Sequence, residues 1–362
     1  MYRLIRPLLF RLDAERSHDV ILAVLAALSR SASALGLIRR LGADRVPSIP
    51  CRFAGLHLPN PLGLAAGLDK YGKAFPALAS MGFGWVELGT VTPRPQPGNP
   101  GKRLFRVVSD AALVNRMGFN SEGLQPFTEH ITKLRHVSKS VIGVNIGKNA
   151  DTPITRAVDD YLTSLDAVYG MADYVAVNVS SPNTASLRDL QNSKYLDDLV
   201  CSLISRRDEL AARHKKTVPL FLKIAPDLTP EEIANLAKTV RAHRLDAVIA
   251  TNTTISRPNR QHPAYAEKGG LSGRPLRQSS TATIRQLYTH LRTEVPIIGV
   301  GGIESAQDVI EKISAGAQIV QIYTSFIYRG PAVIRSILRE LEQLMHSMHI
   351  SDWKSFSEHT RN

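Results

Sequence analysis

From residue 61 onward the chain repeats one pattern: a short, almost uninterrupted apolar run, a polar stretch, then a segment whose apolar residues recur every three or four positions. The apolar runs fall at 62–66, 85–90, 141–147, 174–181, 220–225, 247–253, 297–302 and 319–323. They are short and rich in β-branched residues, as parallel strands covered on both faces must be. The segments between them read as helices, and Thr229-Pro230-Glu231-Glu232 carries the clearest start. There threonine caps, proline takes the first turn and Glu232 closes a capping box ahead of the apolar face Ile233, Leu236, Ala237 and Val240. Eight such units closing on themselves predict an α/β fold, a (β/α)8 TIM barrel, with its chemistry at the carboxyl ends of the strands. Two connections, 91–118 and 254–279, are long enough to predict lids or binding loops.

The first 45 residues are patterned differently. Leu4, Ile5, Leu8, Leu9 and Leu12 form an apolar stripe with Arg3, Arg6 and Arg11 around it, and Ser17 is read as the cap of a second helix carrying Val20, Ile21, Val24, Leu25 and Leu28. Two short amphipathic helices with a basic polar side suit a membrane interface; helices packed on the barrel would show a similar stripe. The uncharged run at 20–28 is far short of the roughly 20 residues that span a bilayer, so no crossing helix is expected. Asp13, Glu15 and Asp19 interrupt any cleaved secretory signal. The expected organisation is an N-terminal two-helix membrane-associating extension (1–45), a barrel domain (46–345) and a C-terminal tail (346–362).

A formal charge of +13 attracts anions without choosing among nucleic acid, anionic lipid and small acidic substrates. The positive residues are spread along the chain with no aromatic-interleaved basic run, so nucleic acid is not an expected partner. The two cysteines, Cys51 and Cys201, form no CxxC and have no histidine at ligand spacing, so neither a disulfide framework nor a metal site is expected.

Chemistry concentrates at the strand ends. Asn145, Asn178, Lys223 and Asn252 each put an amide or ammonium near the carboxyl end of an apolar strand. One buried asparagine is commonly structural. Four polar groups meeting at one mouth are not, because each buried without a polar partner costs about 1 to 3 kcal/mol. Gly301-Gly302 ends the seventh strand and Tyr323-Thr324 the eighth, the usual phosphate position of these barrels, and Ser305 opens a helix just beyond. Gly269-Gly270-Leu271-Ser272-Gly273 is either a second backbone approach to that phosphate or a loop hinge. Ala65-Ala66-Gly67-Leu68-Asp69-Lys70 offers small residues for a flat ring and a lysine for an anion, and Asn115-Arg116-Met117-Gly118-Phe119-Asn120 mixes amides with an apolar wall.

With NRMGFN (115–120), NVSSPNT (178–184), Lys70, Lys223 and Tyr323 in view, the chain resembles the quinone-dependent dihydroorotate dehydrogenases over residues 2–331. The resemblance implies FMN across the mouth, contacted by Ala66, Gly67, Lys70, Thr90, Asn145, Asn178, Lys223 and Thr251, with its phosphate on Gly273, Gly302, Tyr323 and Thr324. Dihydroorotate, and its product orotate, would be held by Lys70, the segment Asn115, Arg116, Met117, Gly118 and Phe119, then Asn178, Asn183, Asn252 and Thr253. Ser181 matches the family's base, taking a proton from C5 while C6 delivers hydride to the flavin, and Lys223 matches the cation that stabilises charge on the reduced ring. The extension would dock on an anionic membrane surface and admit ubiquinone or menaquinone, with Arg106 near the inner end of that path.

The resemblance further implies a monomeric peripheral protein on the cytoplasmic face of a bacterial inner membrane, serving de novo pyrimidine synthesis. Soluble members of the family carry cysteine where Ser181 stands and lack the N-terminal helices; a soluble-type enzyme with another acceptor is the first alternative. A Schiff-base aldolase using Lys223 is the second. After NVSSPNT the chain continues Ala185-Ser186 where many relatives have proline-glycine, which leaves the stiffness of that loop open.

Overall fold

The computed structural model describes residues 2–361 apart from 185, 186, 192 and 260. Each apolar run becomes a strand: β1 (Leu62–Leu64), β2 (Trp85–Val91), β3 (Val141–Ile146), β4 (Tyr174–Asn178), β5 (Leu220–Ile224), β6 (Ala247–Ala250), β7 (Ile297–Val300) and β8 (Ile319–Ile322). Neighbours pair in parallel in chain order and β8 returns to β1, closing the expected barrel. Every residue of β2, β4 and β5 is buried, because each strand faces the interior on one side and the helical layer on the other. The capping box at Thr229 forms as read, with Thr229 Oγ1 accepting from the Glu232 amide at 3.2 Å and Glu232 Oε2 from the Thr229 amide at 2.7 Å.

Large rings plug the amino end of the barrel. Tyr174 stacks on Phe221 at 4.4 Å between centroids, and Phe53 meets Phe221 edge-on at 5.7 Å from the hairpin Cys51–Phe53 and Leu56–Leu58. Neighbouring strands make room by lacking side chains: a Cβ on Gly63 would lie 2.2 Å from Trp85, and one on Gly143 2.0 Å from Tyr174. The interior is thus solid at this end, and only the carboxyl end remains to hold a ligand.

The carboxyl end carries structure that the strand pattern does not predict. The two long connections, read as loops, supply the strands Leu104–Val107, Ala112–Asn115 and Gly270–Gly273, which form an antiparallel sheet with Ala112–Asn115 in the middle. Each has four residues, too few to stand alone, and the sheet exists only because segments distant in sequence meet over the mouth.

The extension has three helices rather than two: α1 (Tyr2–Arg11), α2 (Ala14–Leu28) and α3 (Ala32–Leu41). Asp13, not Ser17, caps α2, its Oδ1 accepting from the amides of Glu15 at 2.9 Å and Arg16 at 3.3 Å. Ser17 lies one turn inside, buried, and its hydroxyl donates to Leu9 O at 2.7 Å, fastening α2 to α1. Leu4 (80% exposed), Leu8 (61%) and Leu37 (60%) leave an apolar face open to solvent. Among the described residues no single helix is long and apolar enough to cross a membrane; α2 and Ala32–Arg45, bent by 114°, pass that test only together. At the other end, within residues 346–362, the helix Trp353–Arg361 buries Trp353 and Phe356, and Trp353 Nε1 donates to Gln318 O at 2.8 Å.

Candidate active site

One cavity opens at the carboxyl ends of the strands, between the barrel, the three-stranded sheet and α2. Ala66 and Gly67 follow β1, Thr90 ends β2, Asn178 ends β4, Lys223 belongs to β5, and Thr251, Asn252 and Thr253 follow β6. Gly302 follows β7, Tyr323 and Thr324 follow β8, and Gly273 leaves the covering sheet. Lys70, Asn115, Met117, Gly118, Phe119, Ser181 and Asn183 complete the wall. Residues separated by more than two hundred positions in the chain therefore share one rim.

Beneath the rim stands a carboxylate that the sequence reading passed over. Glu87, in the middle of β2, has no exposed surface; its Oε1 accepts from Lys223 Nζ at 3.0 Å and from Asn145 Nδ2 at 2.9 Å. Its Oε2 accepts from Tyr174 Oη at 2.9 Å and Gln321 Nε2 at 2.7 Å. Burial opposes ionisation of Glu87, but the Lys223 ammonium and the hydrogen bonds from Gln321, Lys223 and Tyr174 outweigh it and hold its pKa below the ordinary value. Burial and then the Glu87 charge drive the Tyr174 phenol well above its usual range, so it stays a donor. The cluster is a buried ion pair whose carboxylate accepts two hydrogen bonds on each oxygen.

Asn145 sits at this lower level, wholly buried, rather than in the cavity wall. It passes order upward: its Oδ1 accepts from Thr90 Oγ1 at 2.5 Å and from Asn178 Nδ2 at 3.0 Å. Asn178 Oδ1 then accepts from Asn252 Nδ2 at 3.3 Å and Ser180 Oγ at 3.2 Å. The four strand-end polar groups thus converge, three of them in the wall and one supporting it.

Over the opposite side, Asn183 Nδ2 donates to Asn115 Oδ1 at 3.0 Å, and the Asn183 amide donates to Ser181 Oγ at 3.2 Å. Asn183 Oδ1 and Thr184 Oγ1 are buried without a protein partner. Lys70 Nζ donates to Asn120 Oδ1 at 2.6 Å, and burial, followed by the Arg103 charge, pushes its pKa down to about 7. At the far end, Gly273 (φ +94°) and Gly302 (φ +71°) take backbone conformations that a side chain would strain, and a Cβ on Gly302 would fall 2.7 Å from the Arg277 nitrogen. Ser325 Oγ lies there buried and unpartnered, and Thr324 Oγ1 donates to Ser272 Oγ at 2.9 Å. Amide-rich walls, a fixed cation and a glycine-lined polar end suit a flat hydrogen-bonding ring with an anionic tail. Among the described residues no group of three or more His, Cys, Asp or Glu side chains is placed to hold a metal ion.

One expected contact lies elsewhere. Arg116 turns away from the cavity, its Nε donating to Lys102 O at 2.8 Å. Arg106, expected near the inner end of a path through the extension, lies against that extension rather than in the cavity wall, donating to Leu12 O at 2.8 Å and stacking over Phe10 at 4.6 Å. The extension instead reaches the cavity through His18, which the sequence reading missed. Burial and then the Lys70 charge lower its pKa to about 3, so its imidazole is neutral. A titratable ring in helical register with Leu22 and Leu25, on the inward face of α2, was the available signal. The Ala185-Ser186 step lies outside the described residues.

Comparison with known proteins points to one family. The sequence model described as "Dihydroorotate dehydrogenase" matches residues 48–345. A protein of Aromatoleum aromaticum named dihydroorotate dehydrogenase (quinone) is 48% identical over 357 residues, covering 98% of this chain and 99% of the relative. One of the same name from Delftia acidovorans is 49% identical over 347 residues, covering 95% and 98%. Among solved structures, Eimeria tenella DHODH in complex with ferulenol superposes with a TM-score of 0.85 at 38% identity, covering 95% of this chain and 94% of that one.

The Glu87–Lys223 pair generates a prediction. Glu87→Gln leaves a buried ammonium without its counter-charge and should lower stability at pH 7 by about 3 to 5 kcal/mol. Because the folded pKa of Glu87 lies below its ordinary 4.5, the pair's contribution is full above that value and lost as pH falls through the folded pKa. Urea unfolding of both proteins from pH 7 downward should show the gap closing only below about pH 4.5; equal stability at pH 7 would contradict the assignment.

Proposed function

The chain belongs to the dihydroorotate dehydrogenase family in its quinone-dependent form, and from that premise we propose which residues carry the reaction. The reaction oxidises dihydroorotate to orotate through a flavin, with a quinone as final acceptor, in de novo pyrimidine synthesis. The observation that carries the residue-level reading is the meeting of Thr90, Asn178, Lys223 and Asn252 in one wall above the Glu87 pair.

The flavin is FMN. Ala66, Gly67, Thr90, Asn178, Lys223 and Thr251 line the part of the cavity that suits its ring, with Asn145 supporting them from below and Lys70 at its edge. Gly273, Gly302, Tyr323 and Thr324 suit its phosphate, where Ser325 Oγ adds a buried hydroxyl in need of a partner. When bound, FMN supplies the hydride acceptor and passes two electrons to the quinone.

Dihydroorotate lies under the covering sheet, its polar edge and carboxylate met by Asn115, Asn183, Asn252, Thr253 and Lys70, with Gly118 and Phe119 against its ring. Oxidation removes a hydride from C6 and a proton from C5, leaving a C5=C6 double bond. Ser181 takes the proton. A hydroxyl is a weak base, so the proton must move on at once, and the buried, unpartnered Thr184 hydroxyl three residues along is a candidate to receive it. Lys223, held in place by Glu87, stabilises negative charge that develops on the ring.

The extension serves both the membrane and the quinone. Its exposed leucines, Leu4, Leu8 and Leu37, suit burial in the acyl boundary of an anionic membrane, with Arg39 and Arg40 available to headgroups. His18 on α2 makes the same element a wall of the cavity, so ubiquinone or menaquinone entering between the helices arrives at the flavin, and Arg106 steadies the α1–α2 turn beside that path. The bacterial relatives fit a peripheral protein on the cytoplasmic face of an inner membrane.

Ser181→Ala should keep its flavin and slow flavin reduction by about a hundredfold; rapid mixing with dihydroorotate measures it, and an unchanged rate removes Ser181 from the reaction. Replacing Leu4, Leu8 and Leu37 together by Glu should abolish binding to anionic vesicles and reduction of membrane-embedded quinone, while flavin bleaching by dihydroorotate persists. Vesicle binding equal to that of the unaltered chain would refute the docking role.

A further inference from the structure

The segment that carries Ser181 is Asn178-Val179-Ser180-Ser181-Pro182-Asn183-Thr184, and the next residues contain no proline to stiffen it. A group that must take a proton from a given carbon needs a fixed position, since a misplacement of about 1 Å costs about a hundredfold in rate. Arg188, on the turn Leu187–Gln191, supplies the restraint. Its Nε donates to Ser180 O at 3.2 Å, one guanidinium nitrogen to Asp227 Oδ2 at 2.8 Å, and the other to Thr253 O at 3.0 Å. One planar cation therefore joins the residue before the base, the residue beyond β6 that faces substrate, and the loop after β5.

Asp227 extends the clamp. Its carboxylate also accepts from the Thr254 hydroxyl and from the Ile255 amide at 3.2 Å, so it holds the far side of the same strand end. The pair is largely enclosed, with 22% and 14% of the two side chains exposed, unlike a solvated surface bridge. Leu187 and Leu190 are buried beneath the turn, and Gln191 Oε1 accepts from the Ala225 amide at 3.0 Å, so the base of the clamp is itself anchored. Only a guanidinium serves all three acceptors at once; a lysine has the charge without the planar fork.

We propose that Arg188 and Asp227 form a positioning pair that sets the distance between the Ser181 loop and the substrate-holding end of β6, and so governs proton removal without touching substrate. The proposal rests on Ser181 being the base. The test compares Arg188→Gln, Arg188→Lys, Ser181→Ala and Arg188→Gln/Ser181→Ala in the full chain, with flavin reduction by dihydroorotate followed per bound flavin so that misfolded protein does not count.

Arg188→Gln should slow reduction by about tenfold or more and enlarge the isotope effect from deuterium at C5, with Arg188→Lys between it and the unaltered chain. In the Ser181→Ala background, Arg188→Gln should slow reduction by no more than about twofold further, because residues acting as one unit are not additive. A near-normal rate in Arg188→Gln, or its full slowing added on top of Ser181→Ala, overturns the positioning role. Normal reduction in Ser181→Ala overturns the base assignment first, and is read separately from the other three variants.

Discussion

A charged pair in the interior of a barrel organises the whole catalytic end. Lys223 and Glu87 lie 3.0 Å apart with almost no exposed surface, where either alone would be costly to bury. Their cost is offset only because Asn145, Tyr174 and Gln321 complete the hydrogen bonds of the carboxylate. Those partners come from β3, β4 and β8, so the carboxylate is fully bonded only in the closed barrel. The Glu87 carboxylate then fixes Asn145, Asn145 fixes Thr90 and Asn178, and Asn178 fixes Asn252. A ligand thus meets a wall whose donors and acceptors are already aimed, which is how a folded site stabilises developing charge without rearranging.

The same constraint explains what could be read from the sequence. All eight strands were legible because parallel strands buried on both faces leave runs such as VIGVNI, and their polar tips stood out against them. Glu87, the one charge in WVELGTV, was passed over, because a lone carboxylate in an apolar strand has no meaning until its partners from β3, β4, β5 and β8 are brought together. The covering sheet was illegible for a related reason. Ala112–Asn115 pairs with Gly270–Gly273 across some of the longest separations in the fold, and four-residue strands carry too little periodicity to be recognised singly. Local capping rules misled at Ser17, where Asp13 was an equally good cap and α1 needed the serine hydroxyl. Arg116 fell outside the cavity because a long side chain follows the acceptors nearest it, here Lys102 O.

The extension and the barrel also share a physical logic. A helix layer packed on the barrel normally hides its apolar residues, yet α1 to α3 bury Leu25 and Leu35 while leaving Leu4, Leu8 and Leu37 open. His18 turns the inward side of the same layer into cavity wall, next to Lys70. The layer thus leaves apolar side chains exposed on its outside and lines the cavity from its inside. On the proposed assignment, water-soluble dihydroorotate takes the amide-lined side under the covering sheet and the quinone takes the side bounded by helices.

The most direct measurement mixes the purified protein anaerobically with dihydroorotate, follows the flavin absorbance, and then adds either a soluble ubiquinone analogue or fumarate. The account predicts bleaching of the flavin by dihydroorotate, rapid recovery of colour with the quinone and little or none with fumarate. Flavin that stays oxidised in the presence of dihydroorotate, or that recovers faster with fumarate than with quinone, would contradict it.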